Sequence, residues 1–141
     1  MTGAGPTLRL ELRVPDGPLR RADPAPVSVT LINTGSSPVL VNHRMAPGYL
    51  DSDSREVYFD VDGEYGRSKY ERNAPTRADF APLPAGARIS TEIDLLGWYR
   101  LRVAGTYRVL AHYRCDEEWV DPPAGTFVGV VDSAPVTIVV E

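Results

Sequence analysis

Along most of this chain apolar and polar residues alternate with a period of two, and no stretch sustains the 3.6-residue period of a helix. Leu8, Leu10, Leu12 and Val14 alternate with Arg9, Glu11 and Arg13, and Val27, Val29 and Leu31 with Ser28 and Thr30. Val57, Phe59 and Val61 alternate with Glu56, Tyr58 and Asp60, and Ile89, Thr91, Ile93 and Leu95 with Arg88, Ser90, Glu92 and Asp94. Tyr107, Val109, Ala111 and Tyr113 oppose Arg108, Leu110, His112 and Arg114. Such segments are strands with one dry and one wet face, and they bury their apolar residues only when two sheets stack. Val39 to Asn42, then Phe127, Val131, Val136, Ile138 and Val140, supply shorter strands. The pattern predicts an all-β fold, an immunoglobulin-like antiparallel β-sandwich of about seven to nine strands.

Turn chemistry separates the strands. Pro15-Asp16-Gly17-Pro18 and Asn33-Thr34-Gly35-Ser36-Ser37 end the first two, and Asp62-Gly63 is a hairpin signal after the Val57–Val61 run. Residues 45–54 read as a loop. Pro75, Pro82 and Pro84 forbid a central strand across 65–86, where a short edge strand over 68–71 and a crossing loop are expected. Residues 97–101 read as a single helical turn.

A chain of 141 residues with 43% apolar and 24% charged residues suits one globular domain spanning 1–141. A net charge of −4 and a pI near 5.2 argue against nucleic acid and anionic membrane surfaces as partners, since phosphate binding needs a clustered positive field. Cys115 is the only cysteine, so no intramolecular disulfide forms, and a reducing compartment is expected. The start of the chain lacks a basic segment followed by an apolar run, which predicts a cytoplasmic protein; a mature exported protein is the alternative. Lys69 is the only lysine among fifteen basic residues, usage typical of a GC-rich bacterial genome.

The run from Val27 to Tyr113 resembles the immunoglobulin-like domain that accompanies the catalytic domain of deuterolysin-type (aspzincin) zinc metallopeptidases and related bacterial proteins. The resemblance is carried by Val29-Thr30-Leu31-Ile32-Asn33-Thr34-Gly35, by Phe59-Asp60-Val61-Asp62-Gly63 with Tyr65-Gly66, by Leu83-Pro84-Ala85-Gly86, and by Ile93-Asp94-Leu95 with Gly105-Thr106-Tyr107-Arg108-Val109. It implies an accessory module without peptidase activity, because the helical His-Glu-x-x-His zinc motif is absent and only His43 and His112 are present. Tyr107, two residues after Gly105, resembles the tyrosine of a Greek-key corner, whose hydroxyl bonds backbone across the turn; the alternative is an ordinary core tyrosine.

The residues that might carry chemistry do not assemble into a recognisable set. His112, Cys115 and Asp116 are close in sequence, but residues three apart on a strand face opposite ways, which predicts an inert, partly buried thiol. Asp51, Asp53, Asp60, Asp62 and Glu64 fail the calcium-loop pattern, since Glu56 stands where its glycine belongs, and two histidines and one cysteine lack zinc spacing. No catalytic residue, metal or cofactor is expected. Arg108, His112 and Arg114 read as a wet sheet face.

Binding is the expected function: a non-catalytic protein-binding module, an adaptor or a subunit of a larger assembly, using loop aromatics or an unpaired edge strand. The candidate partner-facing residues are Trp119, ringed by Asp116, Glu117, Glu118 and Asp121, in a loop over 115–125 stiffened by Pro122-Pro123. Phe80 and Tyr65 are expected to fold over the core, whereas Tyr49 and Tyr70 are further loop aromatics. The partner is a protein, with a peptidase as one candidate, and homo-oligomers through edge strands are allowed. The alternatives are a proteinase inhibitor or peptidase-associated accessory protein, and a glycan-binding module.

Overall fold

The computed structural model describes residues 7–20, 22–45, 56–62, 77–99, 101, 103–115 and 124–141. The alternating runs form β1 (Leu8–Arg13), β2 (Pro26–Asn33), β3 (Val39–Asn42), β4 (Val57–Val61), β5 (Phe80–Leu83), β6 (Arg88–Asp94), β7 (Gly105–Cys115), β8 (Gly129–Asp132) and β9 (Val136–Val140). All ladders between them are antiparallel. One sheet has the order β1-β2-β6; in another β7 pairs with β4 on one side and with β8 and β9 on the other; β3 and β5 make a two-stranded ribbon. Strands β1, β2 and β6 thus take the A, B and E places of an immunoglobulin sandwich, and β4, β7 and β8 with β9 the C, F and G places. The fold is an all-β immunoglobulin-like antiparallel sandwich, as the alternation requires.

The inward-facing residues meet between the layers. Val27, Val29 and Leu31 of β2 belong to the same buried cluster as Phe59 of β4, Val109, Ala111 and Tyr113 of β7, and Ile138 and Val140 of β9. Because β2 is flanked on both sides, its outer-face Thr30 and Ile32 are buried too, with Glu11 and Ser90 beside the first and Arg9 and Arg88 beside the second. Between β8 and β9 the chain breaks step around Ser133. Its N–H donates to the Ala111 carbonyl (2.9 Å) and its Oγ accepts the Ala111 N–H (2.9 Å), so β7 keeps its backbone satisfied across the break. Asn33, fully buried, ties the turn after β2 to β5: Nδ2 donates to the carbonyls of Ser37 (2.8 Å) and Leu83 (2.9 Å), and Oδ1 accepts the Gly35 N–H (2.9 Å).

Tyr107 makes the corner bond, its hydroxyl donating to the Val103 carbonyl four residues upstream. Phe80 is buried in the core. Other expectations need correction. The helical turn is α1 (Leu95–Trp98), earlier than expected, because the Leu95 N–H bonds the Ala25 carbonyl (2.9 Å) and the Tyr99 N–H closes back on Leu95 (2.8 Å). Residues 80–83 form a strand where a crossing loop was expected. The His43 N–H bonds Asp79 (2.8 Å), which makes Leu40 and Pro82 a non-hydrogen-bonded pair, so the proline nitrogen points away from β3 and breaks no ladder bond. Glu56 and Tyr58 are buried despite their polar positions: Glu56 pairs with Arg44, and Tyr58 stacks on His112 at 4.7 Å. Asp62 does adopt the turn conformation (φ 47°), yet β4 returns to β7 rather than into a short hairpin. The expected edge strand over 68–71, most of the 45–54 loop, and Tyr49, Tyr65 and Tyr70 lie outside the described residues.

Candidate protein interface

The partner-facing residues expected from sequence, Asp116, Glu117, Glu118, Trp119 and Asp121, lie outside the described residues. What is described is the frame from which their loop departs: Cys115, 2% exposed, is the last residue of β7 and pairs with Gly129.

Cys115 and His112 do not converge. The cysteine belongs to the buried core and the histidine to the opposite, outer face of β7. There His112 completes a row across three strands: Tyr58 of β4 stacks on its ring, and Asp132 of β8 bonds its Nδ1 at 2.6 Å. The carboxylate orients the imidazole, but among the described residues no hydroxyl or thiol bonds the other ring nitrogen. The row is cross-strand packing of a kind that stabilises sheets. Asp62 accepts the Arg108 N–H at 3.0 Å, and among the described residues no three histidine, cysteine or acidic side chains group as metal ligands.

Arg44 binds the fully buried Glu56 carboxylate through Nε (2.7 and 3.1 Å) and Nη2, an ion pair that satisfies a charge the fold has removed from water. An open groove of about 470 Å³ runs beside β1, lined by Arg9, Glu11, Arg13, Asp132, Ala134 and Val136. Its charges are largely paired: Arg9 bonds Glu11, and Asp132 bonds His112. The Arg9 hydrogen bond, with Arg13 and Arg88 nearby, holds the Glu11 carboxyl below its ordinary 4.5.

The sheet edges differ more sharply. A strand edge presents unpaired backbone N–H and C=O groups that template pairing with another chain, so proteins close or guard them. The free edge of β4 is closed by Tyr99, whose hydroxyl accepts the Phe59 N–H (3.1 Å) and donates to the Phe59 carbonyl (3.0 Å). Tyr113 does the same for β3 at Asn42, with both bonds at 3.1 Å, and the Phe127 N–H bonds the Leu40 carbonyl (2.8 Å). Pro82 sits in the β5 edge, Leu19 bonds Val139 and Glu141 beside β9, and Leu10 of β1 bridges Ser133.

Among the described residues, strand β6 has none of these devices. The Asn33 N–H bonds Ala87 (3.0 Å) and the Leu95 N–H bonds Ala25 (2.9 Å), so the residues of β6 that bond β2 are Ile89, Thr91 and Ile93. The backbone groups of Arg88, Ser90 and Glu92 point the other way, and no described residue pairs with them. All three residues are exposed, on a seven-residue strand without glycine or proline. Their side chains share the outer face with Arg9, Glu11 and Arg13, and the Ser90 hydroxyl bonds Thr30 (2.8 Å), which fixes the middle of the strand. The sequence shows this strand plainly; that its far edge is bare depends on which strands pair, and alternation does not encode partners.

No family model matches the chain, and no curated protein matches it. Among solved structures it is similar to the CARDB domain of the PF1109 protein from Pyrococcus furiosus, a crystal structure in complex with di-metal ions. The two are 16% identical, the match covers 99% of this chain and 97% of that chain, and the TM-score is 0.45. None of these comparisons supports the expected link to deuterolysin-type peptidases, and what stands is the sandwich read directly from the ladders. No helix among the described residues is long and apolar enough to cross a membrane.

Proposed function

We propose that this chain is a non-catalytic protein-binding module, an adaptor or a subunit of a larger assembly, that takes an extended segment of its partner as an added strand on β6. The observation that carries this reading is the contrast between edges: those of β3 and β4 are closed by tyrosine hydroxyls, whereas β6 offers the N–H and C=O groups of Arg88, Ser90 and Glu92 in regular register. In strand addition these backbone bonds supply affinity, and pockets for alternate side chains supply selectivity. Cys115 and His112 stand on opposite faces of β7, so they form no thiol–imidazole pair that would favour a catalytic reading. Trp119 and its acidic neighbours stand as a second proposed contact on the sequence alone.

Ser90→Pro tests the reading. The Ser90 nitrogen points away from β2, so proline removes the central donor of the open edge without breaking a ladder bond. The variant is expected to fold, by circular dichroism and thermal melting, and to lose the partner that the unaltered chain captures from a native lysate. A folded variant that still captures the same partner overturns strand addition at β6.

A further inference from the structure

We infer that the strand received by β6 is β6 of a second copy of the same chain, paired antiparallel about a two-fold axis at Ser90. The inference rests on the strand-addition reading and names its partner. In that register Arg88 lies opposite Glu92 of the second copy, Ser90 opposite Ser90, and Glu92 opposite Arg88. These are the residues with whose backbone groups no described residue pairs, so each facing pair exchanges both N–H···O bonds. The side chains agree with the backbone. Arg88 and Glu92 stand two residues to either side of Ser90 on one exposed face, and a two-fold axis at Ser90 turns that spacing into two opposite-charge pairs.

Neighbouring registers are worse. Centring the axis on Arg88 or on Glu92 sets like charges directly opposite. Centring it on Thr91 sets Arg88 against Asp94, whose Oδ1 already accepts the Ala25 N–H (2.8 Å), and leaves Glu92 facing Ser90. An edge guarded against pairing carries charge of one sign or charge pointing inward; β6 carries both signs, outward, in a self-complementary order. Pairing also covers Ile89 and Thr91, half-buried on the inner face, by setting each beside the other across the axis. The product is one continuous sheet made from two three-stranded ones.

Sedimentation of the full chain over a wide concentration range, with charge reversals, tests this. The unaltered chain should pass from monomer to dimer as concentration rises. Arg88→Glu and Glu92→Arg should each weaken the dimer about tenfold or more, because both symmetry-related pairs become repulsive, while each variant keeps its fold. The double variant Arg88→Glu/Glu92→Arg should restore the dimer, which a merely damaged strand would not do. Under mild oxidation Ser90→Cys should link two copies and Thr91→Cys should not, the native Cys115 being buried. Linking through Thr91→Cys instead, or a dimer indifferent to both reversals, overturns the inference. A chain that stays monomeric at every concentration, with rapidly exchanging amides at Arg88, Ser90 and Glu92, overturns the second copy as occupant but leaves the edge open to another protein. Protection of those amides in the monomer overturns both readings.

Discussion

Two tyrosines decide which edges of this sandwich are available. The Tyr99 hydroxyl holds both backbone groups of Phe59 while its ring meets the Phe59 ring edge-on, with centroids 6.0 Å apart. Tyr99→Phe keeps the ring and leaves a buried donor and a buried acceptor without that partner. It is expected to lower stability by about 1–3 kcal/mol in urea denaturation. Tyr113, fully buried, bonds Asn42 in the same manner. Burial foremost, with the nearby Cys115 and Glu56, pushes its phenol well above the ordinary 10.0. An acid whose pKa is raised on folding keeps its proton longer folded than unfolded. Stability is therefore unaffected by this group below about pH 10 and falls as pH rises beyond it, where the unfolded chain ionises first. Denaturation midpoints across that range should fall less steeply for Tyr113→Phe than for the unaltered chain; equal slopes contradict the assignment. Of these roles only the corner bond of Tyr107 was legible in the sequence, because it is local and follows a glycine at a strand start. Tyr99 and Tyr113 reach residues 40 and 71 positions away in the chain, and no periodicity reports such a contact.

At the scale of the strand, alternation specified where β1, β2, β4, β6 and β7 lie and which side of most of them is dry. It failed where tertiary contact overrode residue type. Glu56 reads as a wet position until Arg44 is brought to it, and β5 forms across Pro82 because the proline falls where no bond to β3 is due. The interface divided in the same way. Sequence drew attention to Trp119 and the acidic residues around it, since a large aromatic among carboxylates is conspicuous in composition. The open edge of β6 is inconspicuous, because its residues are those of any half-buried strand. Its distinction is that, among the described residues, no neighbour pairs with its outer side, visible only once β2 is known to occupy the other side and the edges of β3 and β4 are known to be closed. Ser90→Pro acts at this scale: it breaks no ladder bond but removes the hydroxyl bond to Thr30, which Ser90→Ala removes as well, so a loss of binding in the proline variant and not in the alanine one belongs to the edge itself.

As a whole molecule, the sandwich closes the edges of β3, β4, β5 and β9 with tyrosine hydroxyls, a proline and short returning segments, while among the described residues nothing covers the outer edge of β6, the edge proposed to receive another chain. Amide hydrogen exchange along β6 tests that claim most directly. In the dilute monomer Ile89, Thr91 and Ile93, bonded to β2, should exchange slowly, while Arg88, Ser90 and Glu92 exchange at nearly unprotected rates. On association, with a second copy or with a captured partner, protection should appear at Arg88, Ser90 and Glu92 and leave the other three amides little changed. If those three amides still exchange rapidly in the complex, or are already slow in the monomer, β6 is not the edge through which this protein binds.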